Sequence, residues 1–210
     1  MEQENKPVRK RRKEARPEEI TDAAILSFLT EGYEATKLEA VARQAGVAKG
    51  TLYLYFETKE QLFRSVVRKI TASNFLTLRK DVEQFNGPFP EFVQLLLSRI
   101  VSSISTSQTP AMTVMIFRES RRFPDIGKIW FEEVLSPTIN AVQKVIERAQ
   151  EHGEVMAGDP RAYALSILGP MFTVTMLGEM AGSSEGMMPD REMLARQHLK
   201  TILHGMYVQR

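Results

Sequence analysis

The chain is predicted to be all-α, with a three-helix domain at the N-terminal end and a larger helical domain after it, about nine helices in all. Two observations carry this. The run 36–63 packs helix starts, helix stops and apolar faces into three short helices in quick succession. Beyond residue 88, every apolar series recurs at three- and four-residue spacing, and Pro or Gly separates one series from the next.

A chain of 210 residues fits one large or two small domains, and 43% apolar content is enough for a sizeable core. With no cysteine, disulfides and thiolate metal sites are excluded, which is compatible with a reducing cytoplasm. The N-terminus is charged and has no apolar stretch of the signal-peptide kind, so a cytoplasmic protein is expected. The net charge of +2 is unevenly spread. Lys6, Arg9, Lys10, Arg11, Arg12, Lys13 and Arg16 cluster at the start, with Glu14 the only acid among them. Residues 1–16 are expected to form a basic arm, disordered in isolation. Such an arm either follows nucleic-acid phosphates into a minor groove or serves as a solubilising tail.

Pro17 at a first helical position, followed by Glu18 and Glu19, predicts the start of the first helix. Ile20, Ala24 and Phe28, flanked by Ile25 and Leu29, give its buried side, and Gly32 ends it. Thr36 with Glu39 reads as a capping box that starts a second helix at Lys37, with Leu38, Val41, Ala42 and Ala45 on one face. Gly46 ends that helix, and a third follows with Val47, Leu52 and Phe56 turned inward. Thr58 with Gln61 opens the fourth at Lys59.

Two helices this short, joined by Ala45-Gly46-Val47, form a helix-turn-helix if they cross steeply, with Ala42 small enough for the crossing. Lys49, Gly50, Thr51, Tyr53 and Tyr55 then stay outward: a cation, bare backbone, a hydroxyl and two phenols suited to phosphates and base edges. The plainer reading is a helical hairpin with half-buried tyrosines.

The strings G-Y-x-A-T and A-x-x-A-G-V-A-K-G-T-L-Y-x-Y-F-x-x-K-E-x-L-F, within residues 18–67, resemble the DNA-binding domain of the TetR/AcrR family of bacterial transcriptional regulators. The resemblance implies a DNA-binding domain at 17–67 and a variable helical domain for effector binding and dimerisation at 68–210. It implies that Thr36, Tyr53 and Lys59 hold phosphates, with Lys37 at the same interface, while Lys49, Gly50, Thr51 and Tyr55 lie nearest bases. The function it implies is a dimeric repressor on a palindromic operator, released by a small lipophilic or aromatic effector. The chain departs from the family pattern at Ala48, where a serine often caps the reading helix; that loss costs about 1 kcal/mol.

The fourth helix is expected to run from 59 to about 85, its second half reaching into the next domain, until Asn86-Gly87-Pro88 ends it. A helix is expected from Pro90, another from Thr109-Pro110 to near Phe123-Pro124, and a long one over 125–151 that Pro137 should kink or break. The helix capped by Asp159-Pro160 is apolar on every face. Its densest apolar run is only about fourteen residues, short of the ~20 that cross a bilayer, so no membrane is expected. A second subunit is expected to cover it, with the helices at 160–180 and 189–208 forming a homodimer interface.

Gly182-Ser183-Ser184-Glu185-Gly186 matches the G-x-S-x-G nucleophile pattern, but no strand precedes it and it reads as a linker. His152, His198 and His204 lack metal-ligand spacing, so neither metal nor cofactor is expected, nor is the protein expected to be an enzyme. Methionines and aromatics suit either a core or a ligand pocket, and the candidate pocket residues are Phe75, Leu96, Ile100, Met112, Met115, Ile116, Trp130, Phe172 and Met176. Arg118, Glu119 and Arg121 either orient a ligand or tie helix ends together. The rival to a regulator is a helical small-molecule-binding protein or enzyme whose first helices are scaffold only.

Overall fold

The structure is a computed structural model that describes residues 7–106, 108–181 and 190–206, with backbone alone for 7–15, 72–80, 83, 106, 180 and 181. The early part of the basic arm, the Gly182–Gly186 pattern and the ends expected at Pro189 and Val208 lie outside the described residues. So do the side chains of Phe75 and Met180. Among the described residues the fold is all-α: α1 (Pro7–Ala35), α2 (Leu38–Gln44), α3 (Lys49–Tyr55), α4 (Lys59–Gln84), α5 (Phe89–Thr106) and α6 (Thr109–Glu119). There follow α7 (Pro124–Trp130), a π-helical segment (Phe131–Leu135), α8 (Ser136–Glu151), α9 (Pro160–Ala181) and α10 (Arg191–Gly205). No helix is long and apolar enough to cross a membrane among the described residues.

Packing divides the chain into two compact units, residues up to 69 with 115–129, and 70–114 with 130–210. In the first, Ile20, Ala24 and Phe28 of α1 are fully buried, as are Val41, Leu52, Leu62, Phe63, Val66 and Val67. The Tyr33 ring stacks on Phe28 at 5.6 Å and meets Phe63 and Phe123 edge-on at 5.3 and 5.2 Å. Aromatic pairs of this kind add about 0.5–1.5 kcal/mol each beyond their buried area. Residues 115–129 thus belong to the packing of the first unit, a partnership between distant stretches that helical periodicity does not reveal.

In the second unit α5, α8, α9 and α10 share one core, built from Phe92, Val93 and Leu96 of α5, Val142 and Ile146 of α8, Ala164 and Ile167 of α9, and Ile202 of α10. The Asp159 carboxylate caps α9 by accepting the N–H groups of Arg161 and Ala162 at 2.8 and 3.3 Å. Asp190 does the same for α10 through the Met193 N–H at 2.8 Å.

Three local expectations are corrected. The first helix starts at Pro7 rather than Pro17, and Pro17 sits inside α1. Pro17 has no N–H to give, but its own carbonyl still serves the Thr21 hydroxyl at 2.7 Å. The Thr36–Glu39 capping box is absent: Lys37 takes the cap position of α2 without a side-chain bond. Thr36 instead donates to the Gly32 carbonyl at 2.7 Å, and Glu39 turns to Lys49. Pro137 neither breaks nor sharply ends its helix; the turn before it widens into the π segment, which absorbs the missing donor and the ring, and α8 continues.

Candidate functional site

The reading head begins with two glycines used for their left-handed backbone. Gly32 takes φ 85° and lets α1 turn into the link to α2. Gly46 takes φ 65° after α2. Around Gly46 the Val47 N–H bonds the Ala42 carbonyl at 2.9 Å and the Gly46 N–H bonds the Arg43 carbonyl at 3.1 Å. This paired closure fixes the angle at which the chain enters α3. Ala48 starts α3 with no side-chain cap, as expected from its lack of a hydroxyl. At the far end of the motif, Thr58 caps α4 by accepting the Gln61 N–H at 3.2 Å, while the Gln61 side chain returns to the Glu57 N–H at 2.9 Å.

This scaffold holds the expected DNA-contact residues in unlike states. Lys37, Lys49, Gly50 and Tyr53 are exposed, and Thr51 and Tyr55 are half-buried. An added Cβ at Gly50 would meet nothing within 4 Å, so the α3 backbone is open to close approach there. The Lys49 ammonium bonds the Glu39 carboxylate at 2.6 Å and lies 5.8 Å from the Tyr53 ring centroid. The hydrogen bond from Lys49 holds the Glu39 carboxyl below its ordinary range, and the same bond raises the Lys49 ammonium. Leu54, 73% exposed on the same helix, is an apolar surface that sequence reading passed over. Its place beside Tyr53 and Tyr55 offered the signal.

Thr36 and Lys59 are placed differently. Thr36 is 2% exposed, with its hydroxyl proton directed at Gly32. Lys59 donates to the Glu34 carbonyl at 3.1 Å and lies 4.7 Å above the Tyr33 ring, where burial lowers its ammonium pKa. The Tyr33 hydroxyl donates to Glu60 at 3.0 Å; burial, then the nearby Glu60 charge, pushes the phenol well up. Glu119, at the end of α6, accepts the Glu34 N–H at 3.0 Å and an Arg118 N–H at 3.1 Å, and Arg122 pairs with the Glu34 carboxylate. An added Cβ on Gly32 would lie 2.4 Å from the Glu119 carboxylate. These bonds favour the helix-tying role for Arg118 and Glu119.

A cavity of about 480 Å³ lies in the second unit between α5, α6, Trp130 at the end of α7, the π segment, α8 and α9. Of the expected pocket residues, Ile100, Trp130 and Phe172 line it. Leu96 lies in the shared core, Met112 and Met176 are buried without lining it, and Met115 and Ile116 are buried in the first unit. The wall also takes Leu165, Leu168 and Gly169, which with Phe172 make one face of α9. That face was legible as an i, i+3, i+4, i+7 series. Arg99, Thr113 and Val134 had no sequence signal of their own. His198 and His204 each bond a backbone carbonyl, of Ile167 at 3.0 Å and Lys200 at 2.7 Å.

A helix-turn-helix with an open second helix that carries a lysine and exposed aromatic and backbone surface, joined to a helical unit with an apolar cavity, defines a DNA-binding transcriptional regulator. Residues 20–66 match the profile of bacterial regulatory proteins of the tetR family, and residues 92–203 match that of the AefR-like transcriptional repressor C-terminal domain. The chain belongs to the TetR family. The uncharacterised HTH-type transcriptional regulator YhgD of Bacillus subtilis (strain 168) is 31% identical over 71% of this chain and 76% of its own. The fatty acid metabolism regulator protein of the same organism is 26% identical over 70% and 75%. Among solved structures, the Bacillus subtilis regulator FadR in complex with stearoyl-CoA superposes with a TM-score of 0.72 at 23% identity, over 90% of this chain and 98% of that one.

Proposed function

We propose that the protein is a dimeric repressor that leaves a palindromic operator when a small apolar effector enters the second unit. The 480 Å³ cavity carries this reading, because α6 contributes Pro110 and Thr113 to its wall and ends in Glu119, which holds the turn before α2. A ligand that prefers one position of α6 therefore has a route, along α6 and across the Glu119–Glu34 hydrogen bond, to the reading head, and effector and DNA weaken each other reciprocally. The stearoyl-CoA of the solved relative supports an apolar effector. In this reading the DNA-binding domain is 17–67 and the effector and dimerisation domain 68–210. Lys37, Lys49, Gly50, Thr51, Tyr53 and Tyr55 face DNA, with Thr36 and Lys59 holding the turn that presents them. Two copies pair through α9 and the last helix, where Leu177 and Met193 are 45% and 52% exposed in the single chain. Two such heads read half-sites roughly 34 Å apart.

The test is a mobility shift on the protein's own upstream DNA and on random duplex, with native mass spectrometry of the purified protein. Selective binding that Tyr53→Ala removes, and a co-purified apolar molecule whose addition releases the DNA, are expected. No selectivity for the upstream DNA at any salt overturns the reading.

A further inference from the structure

Trp130 lines the cavity, and its indole nitrogen has no hydrogen-bond partner among the described residues. The residue is 5% exposed and lines the cavity, and its indole Nε1 is buried without an acceptor. An indole nitrogen only donates, so an acceptor is what it lacks. Such an orphan is costly, and an apolar ring of similar shape would avoid the cost.

The other polar groups of the wall narrow what fits. Besides the hydroxyls of Ser102, Ser103 and Thr109, the wall holds Thr113, Thr138 and Thr175, which each donate their hydroxyl proton to the carbonyl four residues earlier, those of Thr109, Val134 and Met171, at 2.7, 2.7 and 2.8 Å. These last three therefore turn methyl groups and lone pairs, not donors, to their surroundings. Among the described residues Arg99 is the one charged residue in the wall, and its guanidinium meets Asp81 at 2.9 Å; no acidic residue among them lines the cavity. A cationic ligand would be desolvated there without a counter-charge; an anion would have to draw Arg99 from Asp81, and an uncharged ligand faces neither cost. Trp130 also adjoins the π segment, whose Val134 and Leu135 share the wall.

We infer that the cavity takes a hydrocarbon-bodied carbonyl compound, uncharged or anionic, whose oxygen accepts the Trp130 N–H. The inference rests on the reading of this cavity as the effector site and deepens it. The body meets Ile100, Leu168 and Phe172, and the carbonyl or carboxylate oxygen is directed to the indole. Cations of the same length are excluded.

Because Trp130 is the only tryptophan of the chain, its emission reports on the cavity wall directly. The full-length protein is titrated with 2-decanone, decanoate, decane and decylammonium, following emission and, by calorimetry, heat. The ketone or the carboxylate binds and shifts the emission, and which of them binds more tightly separates a neutral carbonyl from an anion. Trp130→Phe weakens that probe about tenfold and leaves decane unchanged, since only the hydrogen bond is lost. Equal affinity of the variant for the carbonyl probe, preference for decylammonium, or no binding of either carbonyl probe overturns the inference. Should the variant fail to fold, the wild-type emission decides: the same response to decane as to 2-decanone overturns it. Operator release is measured in parallel. Carbonyl binding that leaves the DNA complex intact keeps the inference and removes the effector reading.

Discussion

The Lys49 ammonium sits 2.6 Å from the Glu39 carboxylate, so the cation at the head of the reading helix is already neutralised by the helix beside it. A phosphate must displace Glu39 before it can use that charge. Glu39→Gln is expected to raise affinity for random duplex several-fold at low salt and to steepen the log–log salt dependence by about 0.9. Fluorescence anisotropy across a salt series checks this. Unchanged slope and affinity would mean that Lys49 does not reach a phosphate.

The two left-handed glycines should differ in cost. At Gly46 nothing lies within 4 Å of an added Cβ, so Gly46→Ala carries only the backbone penalty of about 1–2 kcal/mol. Gly32, at φ 85° and ψ 171°, lies in a backbone region confined more strictly to glycine, and an added Cβ would also meet the Glu119 carboxylate, so Gly32→Ala is expected to cost more. Urea denaturation of Gly32→Ala with and without Glu119→Ala separates the two terms: the second change should recover the steric part and leave the backbone part.

Glu119 is also the test of communication. Glu119→Ala frees the Glu34 N–H and the turn before α2. Operator affinity without effector is expected to change less than about tenfold, while the effector's ability to weaken it should shrink toward none. Titrating DNA at several effector concentrations measures the coupling; an unaltered coupling factor would place the route elsewhere.

The Tyr33–Glu60 bond sets a pH window for the first unit. The Glu60 carboxyl is held below its ordinary 4.5, chiefly by its own backbone N–H, so the stability it adds is complete above about 4.5 and is lost as pH falls through the lower, folded value. The Tyr33 phenol is raised above its ordinary 10.0, so its contribution is complete below 10.0 and is lost as pH rises toward the folded value. Denaturant midpoints across pH should fall at both ends. Tyr33→Phe should flatten the alkaline fall, and Glu60→Gln the acid one.

Much of the reading head was legible because its signals are local. A glycine at 46 and a threonine–glutamine pair at 58 and 61 each specify one backbone geometry, and each is found there. The pair Thr36 and Glu39 has the same spacing as a capping box, but Gly32 and Lys49 offered those side chains better partners. Sequence spacing does not register such competition from outside the turn. The cavity was less legible for a related reason: Met112 and Trp130 look alike as apolar residues on a helix, and only the packing of neighbouring helices decides which one borders empty space.

The proposed pairing of two copies through α9 and the last helix makes a further prediction for assembly. Leu177→Asp with Met193→Asp should reduce the sedimenting mass to that of one 23.9 kDa chain and abolish selective operator binding, while leaving helicity intact. A dimer that survives both charges would place the interface away from these side chains.

The π segment before Pro137 has a consequence for how the chain tolerates change. Each residue of an α-helix turns the chain by about 100°, so the widened turn works as a phase shifter between Trp130 on one side and Val142 and Ile146 on the other, all buried in the second unit. Substitutions within Phe131–Leu135 keep that phase, but losing or gaining a single residue resets it and swings one flanking stripe off its core. The segment should therefore accept new side chains far more readily than a change of length.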